Sequence, residues 1–393
     1  MPKYSLAVVR PFLAPWEIET FDELEKRKVE VFYISTAYPS SSYESILREL
    51  IRRRQSYVIP IDKRTYCLTK NTLFNKLVWF RLVWPDVSIG DKLVQTIKNL
   101  SPDVVDTLEN YTLSSYLVTS QRDALKAKTV VTSWENIVMP FHRFVIRYLV
   151  NLKTNKFRAL TNSAKLRLLK EKVSEEKISI IPPAINVKKF SPGISDLREK
   201  LNLEDKRIIL YVGRLIKQKG VIELILAMKL VKKMISDATL LLVGGGPLEE
   251  TVKRLSKDLG LEESIRLYSP VPHESMPEVY RVADVLVLPS IATKTWMEQF
   301  GYVLAEAMAT GIPVVASNCG AIPELVKHEE TGLLTEPGNP IDLAQRIIEI
   351  LKNDELKQKV RENGMKYVRK YHSLEEVVPK LDDFYLTLIQ AKR

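Results

Sequence analysis

The stretch Glu298-Gln-Phe-Gly-Tyr-Val-Leu-Ala-Glu306-Ala-Met-Ala-Thr-Gly-Ile-Pro-Val-Val-Ala316 follows the short apolar run Val285–Leu288 and decides the fold. Its middle has helical composition and its end, Pro313–Ala316, is a second short β-branched run. Strand, helix and strand in that order form the crossover unit of a parallel α/β sheet. Glu298 and Glu306 lie eight positions apart around the expected helix start, a little over two turns, so both can face one ligand at different depths. Phe300, Gly301 and Tyr302 between them offer backbone N–H groups at a helix N-terminus, where a phosphate is favoured. Simple charge complementarity at that terminus is the plainer account of the two acids.

The same alternation extends in both directions. Upstream, strands are expected at Ser5–Val9, Val29–Ile34, Asp103–Thr107, Thr129–Thr132, Phe157–Leu160 and Ile178–Ile181. After the break at Pro182-Pro183 the scheme repeats, with strands at Arg207–Val212, Thr239–Val243, Ile265–Tyr268 and Gly332–Leu334 joining the two already named. Helical patterns cover Gly220–Ile235, Leu248–Leu259 and Pro340–Leu351, and a last amphipathic helix starts at Ser373. A chain of 393 residues is long for one core. The expected architecture is therefore α/β, with two Rossmann-like, doubly wound parallel-sheet domains: 1–190, completed by the helix 373–393, and 191–372. Such halves bind ligands at the carboxyl ends of their strands, so a central cleft with domain closure is expected.

The excess of Lys and Arg over Asp and Glu gives a net charge of +11, which points to an anionic partner. No acid occurs between Glu135 and Glu171, where Arg143, Arg147, Lys153, Lys156, Arg158, Lys165, Arg167 and Lys170 accumulate. A second acid-free stretch, Asp62–Asp86, mixes Lys63, Arg64, Lys70, Lys76 and Arg81 with Tyr66, Phe74, Trp79, Phe80 and Trp84. Basic residues among aromatics suit an anionic membrane surface, and a solvated basic face is the competing account. Cys67 and Cys319 stand far apart, which favours a reducing compartment over a disulfide framework. No run has the roughly 18–20 apolar residues a membrane span requires, and the first apolar run is too short for a signal peptide. A cytoplasmic protein, peripheral on the inner face of the membrane, is expected.

The strand Ile208–Val212 ends in Gly213-Arg214-Leu-Ile-Lys217-Gln-Lys219-Gly220, a turn that delivers Arg214 and Lys219 to the carboxyl end of a strand. An Arg that bridges two oxygens and a Lys that acts as a point charge could hold a diphosphate; ordinary surface cations have the same spacing. Gly244, after the strand Thr239–Val243, permits close approach of a ligand to the backbone. No stretch fits a P-loop or a dinucleotide fingerprint, and the absence of Asp-x-Asp argues against a metal-chelating carboxylate pair of that kind. His142, His273, His328 and His372 are scattered and are expected to be structural.

Assembled, these segments resemble the retaining glycosyltransferases of family 4, which have the GT-B fold. The resemblance is carried by Tyr211–Gly220, Leu240–Glu250, Met276–Ser290, Glu298–Ser317, Gly320–Val326 and Thr331–Pro340, with Ile178–Pro192 similar to the family's hinge. It implies that Arg214 and Lys219 bind the donor diphosphate, Glu298 the donor sugar and Glu306 the ribose. Gly213, Gly244, Val271 and the Phe300–Val303 turn join the donor site, with base contacts from backbone around Ser269–His273. It also implies that the last helix crosses back onto the first domain.

The function so implied is metal-independent transfer, with retention, of a hexose from a UDP- or GDP-sugar to a hydroxyl acceptor, including a lipid-linked saccharide, with the sugar nucleotide as substrate and no cofactor. The chain departs from the family pattern after its first strand, where Arg10–Glu19 contains no glycine, and after Thr132, where it has Ser133-Trp134-Glu135-Asn136. Trp16, Glu135 and Asn136 are the acceptor-side candidates, and Glu135 and Asn136 could equally cap the next helix. A catalytically silent sugar-nucleotide binder and a basic nucleic-acid-binding protein are the alternatives, the latter leaving Glu298 and Glu306 without a role.

Overall fold

The computed structural model describes residues 2–11, 14–36, 56–58, 87–137 and 144–391. The basic-aromatic stretch between Asp62 and Asp86, Cys67, His142 and Arg143 lie outside the described residues. By its internal contacts the chain forms two compact units, one of Met1–Leu160, Ala164–Ile181 and Val377–Arg393, the other of Thr161–Ser163 and Pro182–Glu376.

The first unit holds a seven-stranded sheet in the order β3-β2-β1-β4-β5-β6-β7. Its strands are β1 (Tyr4–Arg10), β2 (Val29–Ser35), β3 (Ser56–Val58), β4 (Val104–Leu108), β5 (Lys128–Ser133), β6 (Lys156–Ala159) and β7 (Ile178–Ile180). Every pairing is parallel, with Leu6 opposite Val104 and Leu6 opposite Val31 on the two sides of β1. The six expected strands are present. β3 is additional, and its three residues are too few to carry a period. The connecting helices are α1 (Pro15–Lys26), α2 (Val87–Leu100), α3 (Leu113–Ser120), α4 (Phe144–Lys153) and α5 (Asn162–Lys170).

The second unit holds a six-stranded parallel sheet in the order β10-β9-β8-β11-β12-β13. These strands are β8 (Arg207–Val212), β9 (Ala238–Val243), β10 (Ile265–Tyr268), β11 (Val285–Leu288), β12 (Val314–Ser317) and β13 (Leu333–Thr335). Side chains alternate across a strand, so a sheet covered on both faces reads as an unbroken apolar run. Ile208, Leu210, Leu241 and Val243 enter one core cluster, and Ile209, Tyr211, Leu240 and Leu242 enter the other. Truncating one of these buried leucines to Ala would cost about 2–5 kcal/mol.

Around this sheet lie α6 (Val221–Met234), α7 (Glu249–Asp258), α8 (Met276–Arg281), α9 (Tyr302–Ala309), α10 (Pro340–Lys352) and α11 (Asp354–His372). Local chemistry sets the boundaries. Asn339 caps α10 by accepting from the N–H groups of Ile341 and Asp342, with Pro340 at the first turn, where its missing N–H costs nothing.

The last helix, α12 (Leu374–Gln390), anchors its later turns within the first unit. Tyr385 donates to Asp106 Oδ2 at 2.5 Å, and Asp106 also takes Thr132 Oγ1 at 2.8 Å and pairs with Arg10 Nη1 at 3.1 Å. Asp382 accepts from Tyr4 at 3.2 Å and from Arg27 Nε at 2.8 Å. Burial and the charge of Asp106 push the Tyr385 phenol well above its ordinary value, which keeps it a donor.

Candidate functional site in the second unit

With strand order 3-2-1-4-5-6, the connections leave to opposite faces on either side of β8 and β11, and a crevice opens at the carboxyl ends of those two strands. Gly220 sits at φ +67°, and a Cβ there would lie 1.9 Å from the Pro289 carbonyl oxygen, so only glycine allows the loop after β8 to lie against the loop after β11. Ile291 N–H donates to Gln218 O at 2.8 Å across the same junction.

Lys219 is thereby held against the second loop. Its Nζ lies 2.6 Å from Glu298 Oε2 and 5.3 Å from the centre of the Trp296 ring. Ser290 Oγ, directly after β11 and Pro289, donates to the same carboxylate oxygen at 2.7 Å. The Glu298 backbone is fixed from behind: Ala321 N–H donates to Glu298 O at 2.9 Å, and Gly320, at φ +60°, approaches so closely that a Cβ would stand 2.1 Å from that oxygen. Lys219 and Glu298 keep 16% and 10% of their side-chain surface exposed, so the pair remains accessible to a ligand.

Glu306 occupies the second turn of α9, not the first as the spacing suggested, because the helix begins only at Tyr302. It is 4% exposed. Tyr280 donates to Oε2 at 2.6 Å, and His273 Nε2 lies 2.9 Å from Oε1. Lys189 Nζ lies 3.0 Å from His273 Nδ1. An ammonium can only donate, so Nδ1 accepts, and Nε2 carries the proton that it gives to Glu306. Burial, with the charge of Glu306 as the next cause, pushes the Tyr280 phenol well above its ordinary value. A carboxylate offers about four acceptor directions, and these two donors use one on each oxygen, which leaves capacity for two hydroxyls.

The remaining donor-side residues are placed as follows. Gly213 N–H donates to Val243 O and Gly244 N–H to Tyr268 O, both at 3.0 Å, so the turns after β8 and β9 touch. Arg214 is exposed, and its carbonyl accepts from Tyr211 at 2.8 Å. Val271 follows β10 and packs on the core. Gly301 is the N-cap of α9, Tyr302 and Val303 form its first turn, and Phe300 is buried with its ring centre 5.2 Å from that of His372. Glu298 and Glu306 belong to two separate hydrogen-bonded clusters.

In the first unit, Glu135 follows β5, with its N–H donating to Glu109 Oε1 at 2.9 Å and its Oε1 accepting from Tyr111 at 3.2 Å. Burial, and then the Glu109 charge, raise its carboxyl above the ordinary value. Trp16 lies 6.3 Å, centre to centre, from Trp134. The next helix, α4, is described from Phe144 onward, and residues 138–143, between it and Asn136, lie outside the described residues. Behind them is a buried network: Arg167 pairs with Glu109 at 3.1 Å and with Glu171 at 3.0 Å, and Arg147 pairs with Glu171 as well.

Sequence reasoning overlooked Ser290, Lys189, His273 and Tyr280. None belongs to a periodic or motif spacing with Glu298 or Glu306, and only tertiary structure brings them in. His273, expected to be merely structural, touches a candidate ligand-binding carboxylate. Among the described residues, no group of three or more His, Cys, Asp or Glu side chains is arranged to hold a metal ion. Cys319 is free and buried, and burial raises its thiol, so it is not an activated nucleophile.

Residues 194–367 match the family model for glycosyl transferases group 1. The chain is 29% identical over 213 residues to the GDP-mannose-dependent α-(1-6)-phosphatidylinositol monomannoside mannosyltransferase of Mycobacterium tuberculosis, covering 53% of this chain and 55% of that protein. It therefore spans about half the length of the curated relatives it matches. Its fold is that of a glycosyltransferase from Rickettsia africae (TM-score 0.78, 24% identity, 100% of each chain covered). It is also that of Anabaena HepE in complex with UDP and glucose (TM-score 0.78, 17% identity, 98% of this chain and 100% of that one). Residues 194–367 therefore form a glycosyl transferases group 1 domain, within a chain that has the GT-B fold.

Proposed function

We propose that the protein transfers a hexose, with retention of configuration, from a nucleoside diphosphate sugar to a hydroxyl of a saccharide carried on a lipid at a membrane surface. The observation that supports this best is the Lys219–Glu298–Ser290 cluster, locked by Gly220 and Gly320 at the carboxyl ends of β8 and β11. A cation and a carboxylate within one contact suit a ligand that joins a diphosphate to a polyhydroxylated ring.

In this reading Lys219 and Arg214 face the diphosphate. Lys219 has N–H groups beyond the one used by Glu298, and exposed Arg214 turns to the second phosphate. Both stabilise the charge that accumulates as the sugar–phosphate bond breaks. Glu298 accepts hydroxyls of the sugar, and Lys219 and Ser290 hold it in one rotamer. Glu306 accepts the two ribose hydroxyls through the acceptor positions that His273 and Tyr280 leave open, and the first turn of α9 turns its N–H groups to phosphate.

The bond from anomeric carbon to phosphate oxygen breaks, and the acceptor oxygen bonds to that carbon on the same face. The departing phosphate takes the acceptor's proton, so no side chain need serve as base. The donor is a UDP- or GDP-hexose, the nucleotides named for HepE and for the mycobacterial relative. Trp16, Glu135 and Asn136 serve the acceptor.

Incubation with UDP- and GDP-hexoses and a lipid-linked saccharide tests this, with release of the nucleoside diphosphate measured and the anomeric configuration of the product read by NMR. Turnover to a product of the donor's own anomeric configuration is expected. An inverted product, or no release with any donor, overturns the reading.

A further inference from the structure

Helix α4 is turned inside out relative to an ordinary surface helix. It buries Arg147 and Asn151 beside Val150, while Phe144, Val145, Tyr148 and Leu152 are 58%, 49%, 57% and 60% exposed. Phe144, Tyr148 and Leu152 recur every four positions, so they form one stripe, and the first two rings stack at 6.4 Å. The buried polar side chains have partners within the unit: Arg147 pairs with Glu171 and stacks 4.8 Å above the Tyr111 ring, and Asn151 accepts from Asn110 at 2.8 Å. The inversion thus follows from the network that Arg147 and Asn151 complete, and it leaves the outer face apolar.

The surroundings are basic. Lys177 Nζ donates to Leu152 O at 3.3 Å, at the end of the stripe. On α5, which is tied to α4 through Glu171, Leu166 is 49% exposed between Lys165 and Lys170, and Lys172 follows, exposed. Glu175 pairs with Lys165 at 2.6 Å, while the exposed Lys170 and Lys172 form no ion pair among the described residues.

We infer that α4 is a membrane-docking helix, whose stripe enters the interface of a bilayer rich in anionic phospholipid while the lysines beside it meet the headgroups. A band one helix wide, aromatic at one end and aliphatic at the other, with cations alongside, fits fluid lipid, which needs no matching shape. A protein groove would instead require complementary relief. The inference rests on the proposed acceptor at a membrane surface.

Flotation of the whole protein with vesicles of phosphatidylcholine, with and without phosphatidylglycerol, tests it. Binding to the anionic vesicles at low salt, weakened at high salt, is expected. The Phe144→Ser/Leu152→Ser variant should partition about tenfold less or weaker still. Lys170→Glu/Lys172→Glu, which alters only exposed positions, should lose the preference for anionic lipid without loss of thermal stability. Failure of the unaltered protein to float at low salt, or unchanged partitioning of both variants, overturns the inference. So does an oligomer that the Phe144→Ser/Leu152→Ser variant dissociates while flotation persists, since the stripe would then face a second copy. Thermal stabilisation by sugar nucleotides, measured on the same preparations, separates the two readings: flotation without any nucleotide response breaks the transferase proposal and leaves the docking helix standing.

Discussion

Both units place polar clusters at the carboxyl ends of a doubly wound sheet, but they use them differently. In the second unit, Lys219 pairs with Glu298, Glu306 takes Tyr280 and His273, and Lys219 and Glu306 retain donor or acceptor capacity. In the first, Glu109 accepts from the Trp134 and Glu135 N–H groups, Ser133 and Arg167, and Arg167 in turn bonds Asn110 and Glu171. Glu109 also holds φ +57°, a conformation that costs a non-glycine residue about 1–3 kcal/mol and persists only where the surroundings enforce it. One sheet template thus carries a cluster with donor and acceptor capacity to spare and a cluster closed upon itself. Position at a strand end is therefore insufficient to assign function; unspent hydrogen-bonding capacity separates the two.

The largest expected effect tests the closed cluster. Arg167→Met leaves Glu109 buried without its cation and Glu171 with Arg147 alone, and should lower unfolding free energy by about 3–5 kcal/mol in urea denaturation, with sugar-nucleotide affinity unchanged. A loss of affinity without loss of stability would move that network into the binding machinery and erase the contrast.

On the open side, Glu298→Ala should reduce turnover by about 10²–10³-fold with little change in stability, checked by initial rates of nucleotide release. Glu306→Ala should weaken donor binding by about 1.5–3 kcal/mol in calorimetric titration, and a donor lacking the ribose hydroxyls should bind variant and parent alike. His273→Ala, which removes only a positioning contact, should cost about 1 kcal/mol of donor affinity and leave kcat nearly unchanged.

The smallest effect concerns pH. The folded protein holds Glu135 above its ordinary value, so between that value and the raised one it keeps a proton that the unfolded chain gives up, and stability falls as pH rises through this window. The stability of Glu135→Gln relative to the parent should therefore increase as pH is raised through it. A difference independent of pH in urea midpoints would contradict the burial of this carboxyl.

Most strands were legible because a sheet covered on both faces demands continuous apolar runs, and β8, β9 and β11 supply them. β3 was not, since three residues carry no period. Nor was α11 (Asp354–His372), whose 19 residues bury only Val360, Gly364, Val368 and His372 and so present a thin apolar stripe. In the site, Lys219, Glu298 and Glu306 were legible from strand ends and a helix start. Ser290, His273 and Tyr280 were not, because side chains that orient another side chain need share no spacing with it. The inversion of α4 was equally hidden: only the partners of Arg147 and Asn151 reveal which face is inward.

The central claim, that Glu298 and Glu306 bind opposite ends of a sugar nucleotide, is tested most directly by thermal stabilisation of the parent and of Glu306→Ala with UDP-, GDP- and ADP-sugars. At 100 times the dissociation constant a ligand adds about 2.7 kcal/mol, well within detection. The account predicts stabilisation of the parent by at least one UDP- or GDP-sugar and, at the same concentration, its reduction by about half or more in Glu306→Ala. No stabilisation by any of them, or equal stabilisation of both proteins, would contradict it.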